Sequence, residues 1–425
     1  SAASDVYKRQ LSICWVTVSG MHWTPSSADE VHGFFYQSRA GWSLTRNDLT
    51  SPYLVLDSMG ITHLEIGMLG SLRFSRLASV TGLWALALTG WGSSAWAQSA
   101  PLAPREVPAK TIAVPNTVSP ELQQLIAQPL RNGWNNQPTT PEGWKQLAET
   151  LRQAALPNIE AMRNRLKVQV QPGVMAGVKI YTVTPEKVLP QNKRRTLLQV
   201  HGGCYVLNPA EAALPEAMLI AAIGGFKVIA VDYRMPPEAY FPAALDDVMA
   251  VYKDLLSQTD PKRIGLIGTS AGGALVLEMG LRAKQLGLPM PGAIASGTPM
   301  SDSTKTGDTF YTNAMLDNVL VSTDGFCDSA AAFYANGHDL KDPLISPIYG
   351  DMSGFPPTIL TSGTRDLLLS NTVRVHRKLR NLGIDSFLQV YEGQSHAHYG
   401  RDDRIPETRE AFTEISIFLN RHLKK

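Results

Sequence analysis

The feature that most limits what this chain can fold into is a Gly-Thr-Ser-Ala-Gly segment at residues 268–272. A short apolar run precedes it at residues 264–267, and a stretch with helical character follows at residues 274–286. A strand, a tight turn and a helix in this order hold the central Ser270 in a strained backbone conformation and require small neighbours. Its hydroxyl then lies at the N-terminal end of the helix, where free N–H groups favour developing negative charge. The segment predicts a nucleophilic serine, against the alternative of an ordinary Gly/Ser turn.

Strand and helix patterns alternate along most of the chain after residue 115. Apolar strand patterns occur at residues 178–183, 196–200, 226–231, 264–267, 293–296, 358–361 and 387–391. Strands that alternate with helices in this way form a mostly parallel sheet with helices packed on both faces. The predicted fold class is therefore α/β.

Two of the later predicted strands end beside residues that can complete a catalytic triad with Ser270. Asp366 follows the strand at 358–361, and His396 follows the strand at 387–391. Hydrolases with this serine turn carry their acid and then their histidine downstream, each after a later strand. We expect His396 to accept the proton of Ser270 as general base, and Asp366 to orient the imidazole and stabilise its charged form.

Each of these two partners has a competing interpretation. His398 lies two residues after His396 and is the alternative base, but His396 is preferred because it comes first after the turn. For Asp366 the alternative is a surface carboxylate paired with Arg365, which its position directly after a buried strand disfavours. The predicted catalytic residues are therefore Ser270, Asp366 and His396.

An oxyanion hole is expected where the strand at 196–200 runs into His-Gly-Gly-Cys at residues 201–204. Consecutive glycines let backbone N–H groups face a carbonyl oxygen with no side chain between them. The residue after the nucleophile supplies a further N–H group. The predicted donors are the backbone N–H groups of Gly202, Gly203, Cys204 and Ala271. Cys204 is discounted as a rival nucleophile, because it has neither a serine-type turn nor a histidine at the matching strand end.

Further motifs surround the catalytic candidates in a consistent order. They are His-Gly-Gly at 201–203, Asp-Tyr-Arg-Met-Pro-Pro-Glu at 232–238, Phe-Pro-Ala-Ala at 241–244, Gly-Thr-Ser-Ala-Gly-Gly at 268–273, Asp-Pro-Leu-Ile-Ser-Pro at 342–347 and Gly-Phe-Pro-Pro-Thr at 354–358. With them, residues 115–425 resemble the hormone-sensitive-lipase-like (bacterial family IV) α/β-hydrolases, in the branch with Thr before the nucleophile. Two residues depart from the family pattern: Cys204 replaces the usual third Gly, and Ala239 stands where a His is common.

The resemblance implies an α/β-hydrolase fold whose active site lies beneath a helical cap. The cap would comprise an N-terminal part at residues 116–170 and a second insertion at residues 310–340. The resemblance also implies a serine carboxylesterase that acts on soluble esters with short to medium acyl chains and needs no metal or organic cofactor. A lactonase or amidase with the same triad is the enzymatic alternative. A ligand-binding receptor on the same fold is the alternative from another functional class.

The N-terminal 115 residues differ in character from the rest. Residues 68–97 combine a short basic region, an apolar core and a small-x-small site, which is the pattern of a secretory signal peptide cleaved after Ala97. Residues 1–67 show no coherent pattern, and we interpret them as non-native or upstream translation with no assigned fold; the alternative is a real extension of unknown role. Residues 98–115 are rich in Pro and Ala and are predicted to be a linker. The expected location is periplasmic or secreted.

Charge and cysteine content limit the partners and the redox chemistry. The 39 basic and 37 acidic side chains give a net charge of +2, too little to recruit nucleic acid or anionic lipid. We therefore expect a small-molecule ester as partner, no nucleic acid, no stable membrane insertion after signal cleavage, and a monomer or homodimer. After the signal peptide the cysteines are Cys204, in the oxyanion loop, and Cys327, in a predicted surface helix. A disulfide between them would be allowed outside the cytosol, but two free thiols are expected.

Overall fold

The structure, a computed structural model, describes residues 37–38, 41–42 and 103–425. In the first part, two short strands, β1 (Gln37–Ser38) and β2 (Gly41–Trp42), pair antiparallel with each other. The residues from Ala103 to Lys425 form a separate unit that contains all the catalytic candidates. The predicted signal peptide at residues 68–97 lies outside the described residues.

The second unit is built on an eight-stranded sheet with the order β10-β9-β8-β7-β5-β6-β4-β3. β4 pairs antiparallel with both β3 and β6, and all other neighbouring strands are parallel. The strands are β3 (Val168–Met175), β4 (Val178–Pro185), β5 (Thr196–Val200), β6 (Lys227–Asp232), β7 (Ile264–Thr269), β8 (Ala293–Gly297), β9 (Thr358–Gly363) and β10 (Ser386–Tyr391). This mostly parallel sheet confirms the predicted α/β class.

Helices pack against both faces of the sheet. They are α1 (Pro120–Ile126), α2 (Pro141–Leu166), α3 (Pro215–Gly224), α4 (Ala243–Gln258), α5 (Ala271–Gln285), α6 (Thr309–Thr312), α7 (Phe326–Ala335), α8 (Leu369–Asn381) and α9 (Pro406–His422). Successive side chains of a strand point to opposite faces. In β5, Leu198 therefore joins an apolar cluster with α4 and α5, whereas Leu197 joins another with α3 and α9. Each face of the sheet thus has its own core.

The seven strands predicted from the sequence correspond to β4–β10, and β3 was missed. Pro172 and Gly173 lie within β3, and most of its side chains are exposed. It is an edge strand that pairs only with β4. Without a buried apolar run, such a strand gives no clear signal in the sequence.

Ser-Pro-Glu at residues 119–121 and Thr-Pro-Glu at residues 140–142 each place an N-cap residue before a proline, which is the pattern of a helix start, and both N-terminal helices begin there. The hydroxyl of Ser119 accepts the N–H of Leu122 at the start of α1, and the hydroxyl of Thr140 accepts the N–H of Gly143 at the start of α2. Ser119 also donates its backbone N–H and its hydroxyl to the carboxylate of Glu407 on α9, each at 2.7 Å. The first cap helix is therefore attached directly to a helix of the sheet core.

The prediction of two free thiols is wrong, because Cys204 and Cys327 form a disulfide with their Cα atoms 5.4 Å apart. Both residues are buried, and Cys327 lies on α7 within the core, not on a surface helix. The two cysteines are separated by 123 positions in the chain, so nothing local in the sequence indicates that they meet. The bond joins the loop after β5 to the second cap insertion.

The disulfide should contribute strongly to stability because it closes a long loop. For a sequence separation of 123, chain entropy alone gives a stabilisation of about 5 kcal/mol. We expect Cys327→Ser to lower the free energy of unfolding by about 3–5 kcal/mol, measured by urea denaturation. A reducing agent should destabilise the unmodified protein similarly and leave a Cys204→Ser/Cys327→Ser variant unchanged. Equal stability of the oxidised and reduced protein would contradict this account.

Candidate active site

Ser270 occupies the turn between β7 and α5 with φ 64° and ψ −123°. A non-glycine residue adopts such a conformation only at a cost of about 1–3 kcal/mol. The turn is held by the Ser270 N–H, which donates to the Gly297 carbonyl at 2.9 Å. Position 272 must be glycine, because a Cβ there would lie 2.0 Å from the carbonyl oxygen of Val200. Close packing of α5 on β5 therefore holds the serine at the helix N-terminus.

The structure brings Ser270, His396 and Asp366 together. His396 Nε2 lies 2.9 Å from Ser270 Oγ, and His396 Nδ1 lies 3.1 Å from Asp366 Oδ1. These residues follow β7, β10 and β9, and the carboxyl ends of parallel strands meet at one edge of a sheet. With Nδ1 protonated towards the carboxylate, Nε2 is free to accept the serine proton.

The carboxylate of Asp366 is fully buried and hydrogen-bonded at both oxygens. Oδ1 accepts the Leu368 N–H at 2.8 Å, and Oδ2 accepts the hydroxyls of Ser362, at 2.9 Å, and Thr298. Burial by itself would raise the pKa of Asp366. The charge of His396 and the hydrogen bonds from His396, Thr298 and Leu368 outweigh burial and hold that pKa below its usual value. The acid therefore stays ionised beside the imidazole.

The two competing interpretations are not supported by the geometry. His398 Nδ1 accepts the N–H of Ser395 at 3.3 Å, and no hydrogen bond joins this ring to Ser270. Burial and the charge of Arg401 lower the pKa of His398 to about 3, so it is neutral at physiological pH. Arg365 donates to the carbonyl of Ala113 at 2.5 Å and does not pair with the neighbouring aspartate.

Asp317, in the second cap insertion, is a site residue that the sequence analysis missed. Its Oδ1 accepts the N–H groups of Val319 and Leu320, at 2.8 and 3.1 Å. Its Oδ2 accepts those of Leu367 and His396, at 2.8 and 3.3 Å. One buried carboxylate thus joins the cap insertion to the loops that carry the acid and the base. The only local sign is an Asx turn at residues 317–319, which is too common to indicate a site.

Gly202 and Gly203 allow the loop after β5 to pass close to the nucleophile turn. A Cβ at Gly202 would lie 2.5 Å from the carbonyl oxygen of Thr269 and 3.0 Å from the Cβ of Ser270. Gly203 has φ 119°, a conformation that favours glycine. Among the described residues, the N–H groups of residues 202–204 make no hydrogen bond. Ala271 is the first residue of α5, where helical N–H groups have no partner within the helix.

The side chain of Cys204 forms the disulfide, which explains why a cysteine replaces the third glycine that is usual at this position. Cys204 has φ 51° and is tied through its sulfur to α7. At the start of the same loop, His201 stacks on Tyr233 with ring centroids 4.1 Å apart, and the Tyr233 hydroxyl donates to the His201 carbonyl at 2.9 Å. The oxyanion loop is therefore anchored at both ends.

A second group of polar residues, also unpredicted, surrounds Thr269. Its hydroxyl donates to Glu216 at 2.5 Å and lies 2.7 Å from the hydroxyl of Tyr399. Gln199 also donates to the Glu216 carboxylate, at 3.0 Å. Burial raises the pKa of Glu216 to about 7, although these hydrogen bonds oppose the shift. Thr269 thus links the turn at Ser270 to α3 and to the loop that follows His396.

Ser270 and His396 open into a cleft of about 650 Å³. Side chains from both predicted cap regions line it: Leu125, Pro129, Leu151, Ala155, Ile159, Met162, Val319, Leu320 and Phe326. Another cavity, of about 670 Å³, lies along α8 and contains no residue of the triad. Within residues 103–425 no cluster of His, Cys, Asp or Glu could hold a metal ion. In the same range no helix has the length and apolar character needed to cross a membrane.

Known proteins with related sequences and folds are esterases. A family model described as alpha/beta hydrolase fold matches residues 197–400. An acetyl-hydrolase of Streptomyces hygroscopicus is 29% identical over 303 residues, which cover 71% of this chain and 96% of the relative.

Two crystal structures extend the likeness to the fold. That of an esterase named E25 has 42% identity and a TM-score of 0.73, covering 76% of this chain and 99% of its own. That of an esterase from the bacterial hormone-sensitive lipase family has 27% identity and a TM-score of 0.60, covering 72% and 99%. With the hydrolase sheet and the serine turn described above, these likenesses establish that the chain is a carboxylic ester hydrolase of the bacterial hormone-sensitive-lipase-like family of α/β-hydrolases.

Proposed function

We propose that the chain is an exported serine carboxylesterase that cleaves esters with short to medium acyl chains through an acyl-Ser270 intermediate. The observation that carries the proposal is the continuous hydrogen-bonded path from Ser270 Oγ through His396 to Asp366, at 2.9 and 3.1 Å. The path opens into the cleft, so an ester that enters the cleft reaches the serine hydroxyl directly.

Each step of the proposed reaction uses groups that are already in position. His396 Nε2 takes the proton of Ser270 as Oγ attacks the ester carbonyl carbon, and Asp366 stabilises the imidazolium. The oxygen of the tetrahedral intermediate accepts hydrogen bonds from the N–H groups of residues 202–204 and Ala271. His396 then returns the proton to the departing alcohol. In the second half, water gives a proton to His396 and attacks the acyl carbon. The bond from the acyl carbon to Ser270 Oγ then breaks as His396 gives the proton to Oγ, which releases the acid and restores the serine.

The size of the cleft and the named relative both favour small acyl groups. Side chains of both predicted cap regions line the space of about 650 Å³, which limits the room for a long chain. The Streptomyces relative is named an acetyl-hydrolase. We therefore propose acyl groups of short to medium length as substrates.

A series of 4-nitrophenyl esters with increasing acyl length tests the function and the substrate range together. We expect kcat/KM to be highest for short and medium acyl chains and to fall for long ones, because the space in the cleft is limited. Ser270→Ala should lower kcat by about 10³-fold or more for every ester, since only positioning and the oxyanion hole remain. No turnover of any ester by the unmodified protein, or full turnover by the variant, would overturn the proposal.

The choice of base is tested by two matched histidine variants. His396→Ala should lower kcat by about 10³-fold or more, because no other group accepts the serine proton. His398→Ala should cost little activity, because this ring stays neutral and makes no hydrogen bond to the nucleophile. Both are measured as kcat on one short-chain ester. The reverse order of losses would show that His398 is the base.

Export is the second part of the proposal, supported by two independent features. Residues 68–97 have the pattern of a signal peptide. The Cys204–Cys327 disulfide is of a kind that forms and persists in the periplasm or outside the cell, where the surroundings are oxidising.

Export is tested by producing the chain from Met68 in a Gram-negative host. We expect the protein in the periplasm, with its N-terminus at Gln98 and with no free thiol detected by a thiol-reactive reagent. The matched control lacks residues 68–97 and should remain in the cytoplasm with Cys204 and Cys327 reduced. Recovery of the longer chain from the cytoplasm with residues 68–97 intact would contradict the proposal.

A further inference from the structure

The cleft above Ser270 contains two cations that are not balanced by a partner. Apart from histidines, the ionisable side chains that line it are Arg131, Arg401 and Glu216. Burial lowers the pKa of both arginines, and the charge of Arg401 lowers that of Arg131 further. Both arginines line the same cleft, and the charge of Arg401 makes the charge of Arg131 more costly.

Neither arginine has an ion-pair partner among residues 103–425. The guanidinium of Arg131 lies over the ring of Phe326, 4.6 Å from its centroid. The side chain of Arg401 makes no hydrogen bond with any of residues 103–425. Phe326 stabilises a cation through its π face but does not neutralise it.

Two other arginines near the same loop are paired, unlike Arg131 and Arg401. Arg404 contacts the carboxylate of Asp402, and Arg165 contacts that of Asp403, each at 2.5 Å. The loop after His396 thus has acidic side chains available, yet none pairs with Arg401.

The nearest acidic side chains do not neutralise Arg131 or Arg401. The charge of Asp317 raises the pKa of Arg401, but both oxygens of Asp317 already accept backbone N–H groups. The carboxylate of Glu216 is bonded to Thr269 and Gln199, and its pKa of about 7 leaves it partly protonated at neutral pH.

The surroundings of Arg401 are those of a residue on a cavity wall. Its side chain lines the cleft and is exposed to solvent. A guanidinium offers a planar set of donors that matches a carboxylate with two parallel hydrogen bonds. An anion that enters the cleft would therefore neutralise charges that the protein leaves unpaired.

We propose that Arg131 and Arg401 form a carboxylate-binding subsite, and that the preferred substrates are esters that also carry a carboxylate several bonds from the scissile carbonyl. Monoesters of short dicarboxylic acids place this group on the acyl side, and acylated hydroxy acids place it on the alcohol side. This inference rests on the proposed esterase function and adds the chemical class of substrate.

Two matched substrate pairs test the subsite. On the acyl side, mono-4-nitrophenyl adipate is compared with 4-nitrophenyl 6-methylheptanoate, in which an isopropyl group replaces the carboxylate. On the alcohol side, 3-acetoxypropanoate is compared with 3-methylbutyl acetate, which differs in the same way. We expect kcat/KM to favour the anionic member of at least one pair by about tenfold or more, the effect of one or two charge-assisted hydrogen bonds.

The arginine variants show whether that preference comes from the subsite. Arg131→Gln and Arg401→Gln should each reduce the ratio of anionic to neutral kcat/KM by about tenfold, mainly through a higher KM for the anionic ester. The matched control is Arg404→Gln, because Arg404 lies on the same loop but does not line the cleft, and it should leave the ratio unchanged.

The possible results separate this inference from the proposed function. If neutral esters are hydrolysed as fast as anionic ones in both pairs, the subsite is refuted while the esterase function stands. The inference is also refuted if Arg401→Gln lowers Tm and slows both members of a pair equally, because the arginine then serves only to balance Asp317.

A binding measurement still tests the subsite if no ester is turned over. Adipate should raise the Tm of the Ser270→Ala variant, and should not do so once Arg131→Gln and Arg401→Gln are added. The absence of any shift in the Ser270→Ala variant would overturn the inference.

Discussion

The backbone conformation of Ser270 is the constraint on which the rest of the site depends. With φ 64° the residue is strained, and the surrounding packing has to maintain that strain. Position 272 carries no Cβ, so α5 can approach the end of β5, and the Ser270 N–H is held by the strand on the other side. The same close approach brings the oxyanion loop beside the nucleophile. One packing arrangement therefore sets the positions of both the serine and the groups expected to stabilise the negative charge.

Buried charge determines which histidine can act. Asp366 and Asp317 are both fully buried around His396, one at its ring and the other at its backbone N–H. Burial and the charge of Asp366 raise the pKa of Asp317, whereas the charge of His396 lowers it, so the two carboxylates affect each other. His398, only two residues away, stays neutral because burial and then the positive charge of Arg401 lower its pKa. A small difference in sequence position thus becomes a large difference in electrostatic environment.

Local signals account for what could be predicted from the sequence. Apolar runs marked seven of the eight strands of the main sheet, and Ser119 and Thr140 marked the starts of two helices, because these features depend on neighbouring residues. The order of the serine, the acid and the histidine also followed from strand ends. The disulfide, Asp317 and the hydrogen bonds of Thr269 could not be predicted in this way. They depend on segments far apart in the chain that meet only when the sheet is formed.

The central claim is that Ser270 attacks the ester under the direction of the oxyanion loop, and a structure of a covalent adduct tests it most directly. After reaction with a 4-nitrophenyl alkylphosphonate, a crystal structure should show phosphorus bonded to Ser270 Oγ. The phosphonyl oxygen should accept hydrogen bonds from the N–H groups of the loop at residues 202–204 and from Ala271. Phosphorus bonded to another residue, or full ester hydrolysis by protein that remains unmodified at Ser270, would contradict the account.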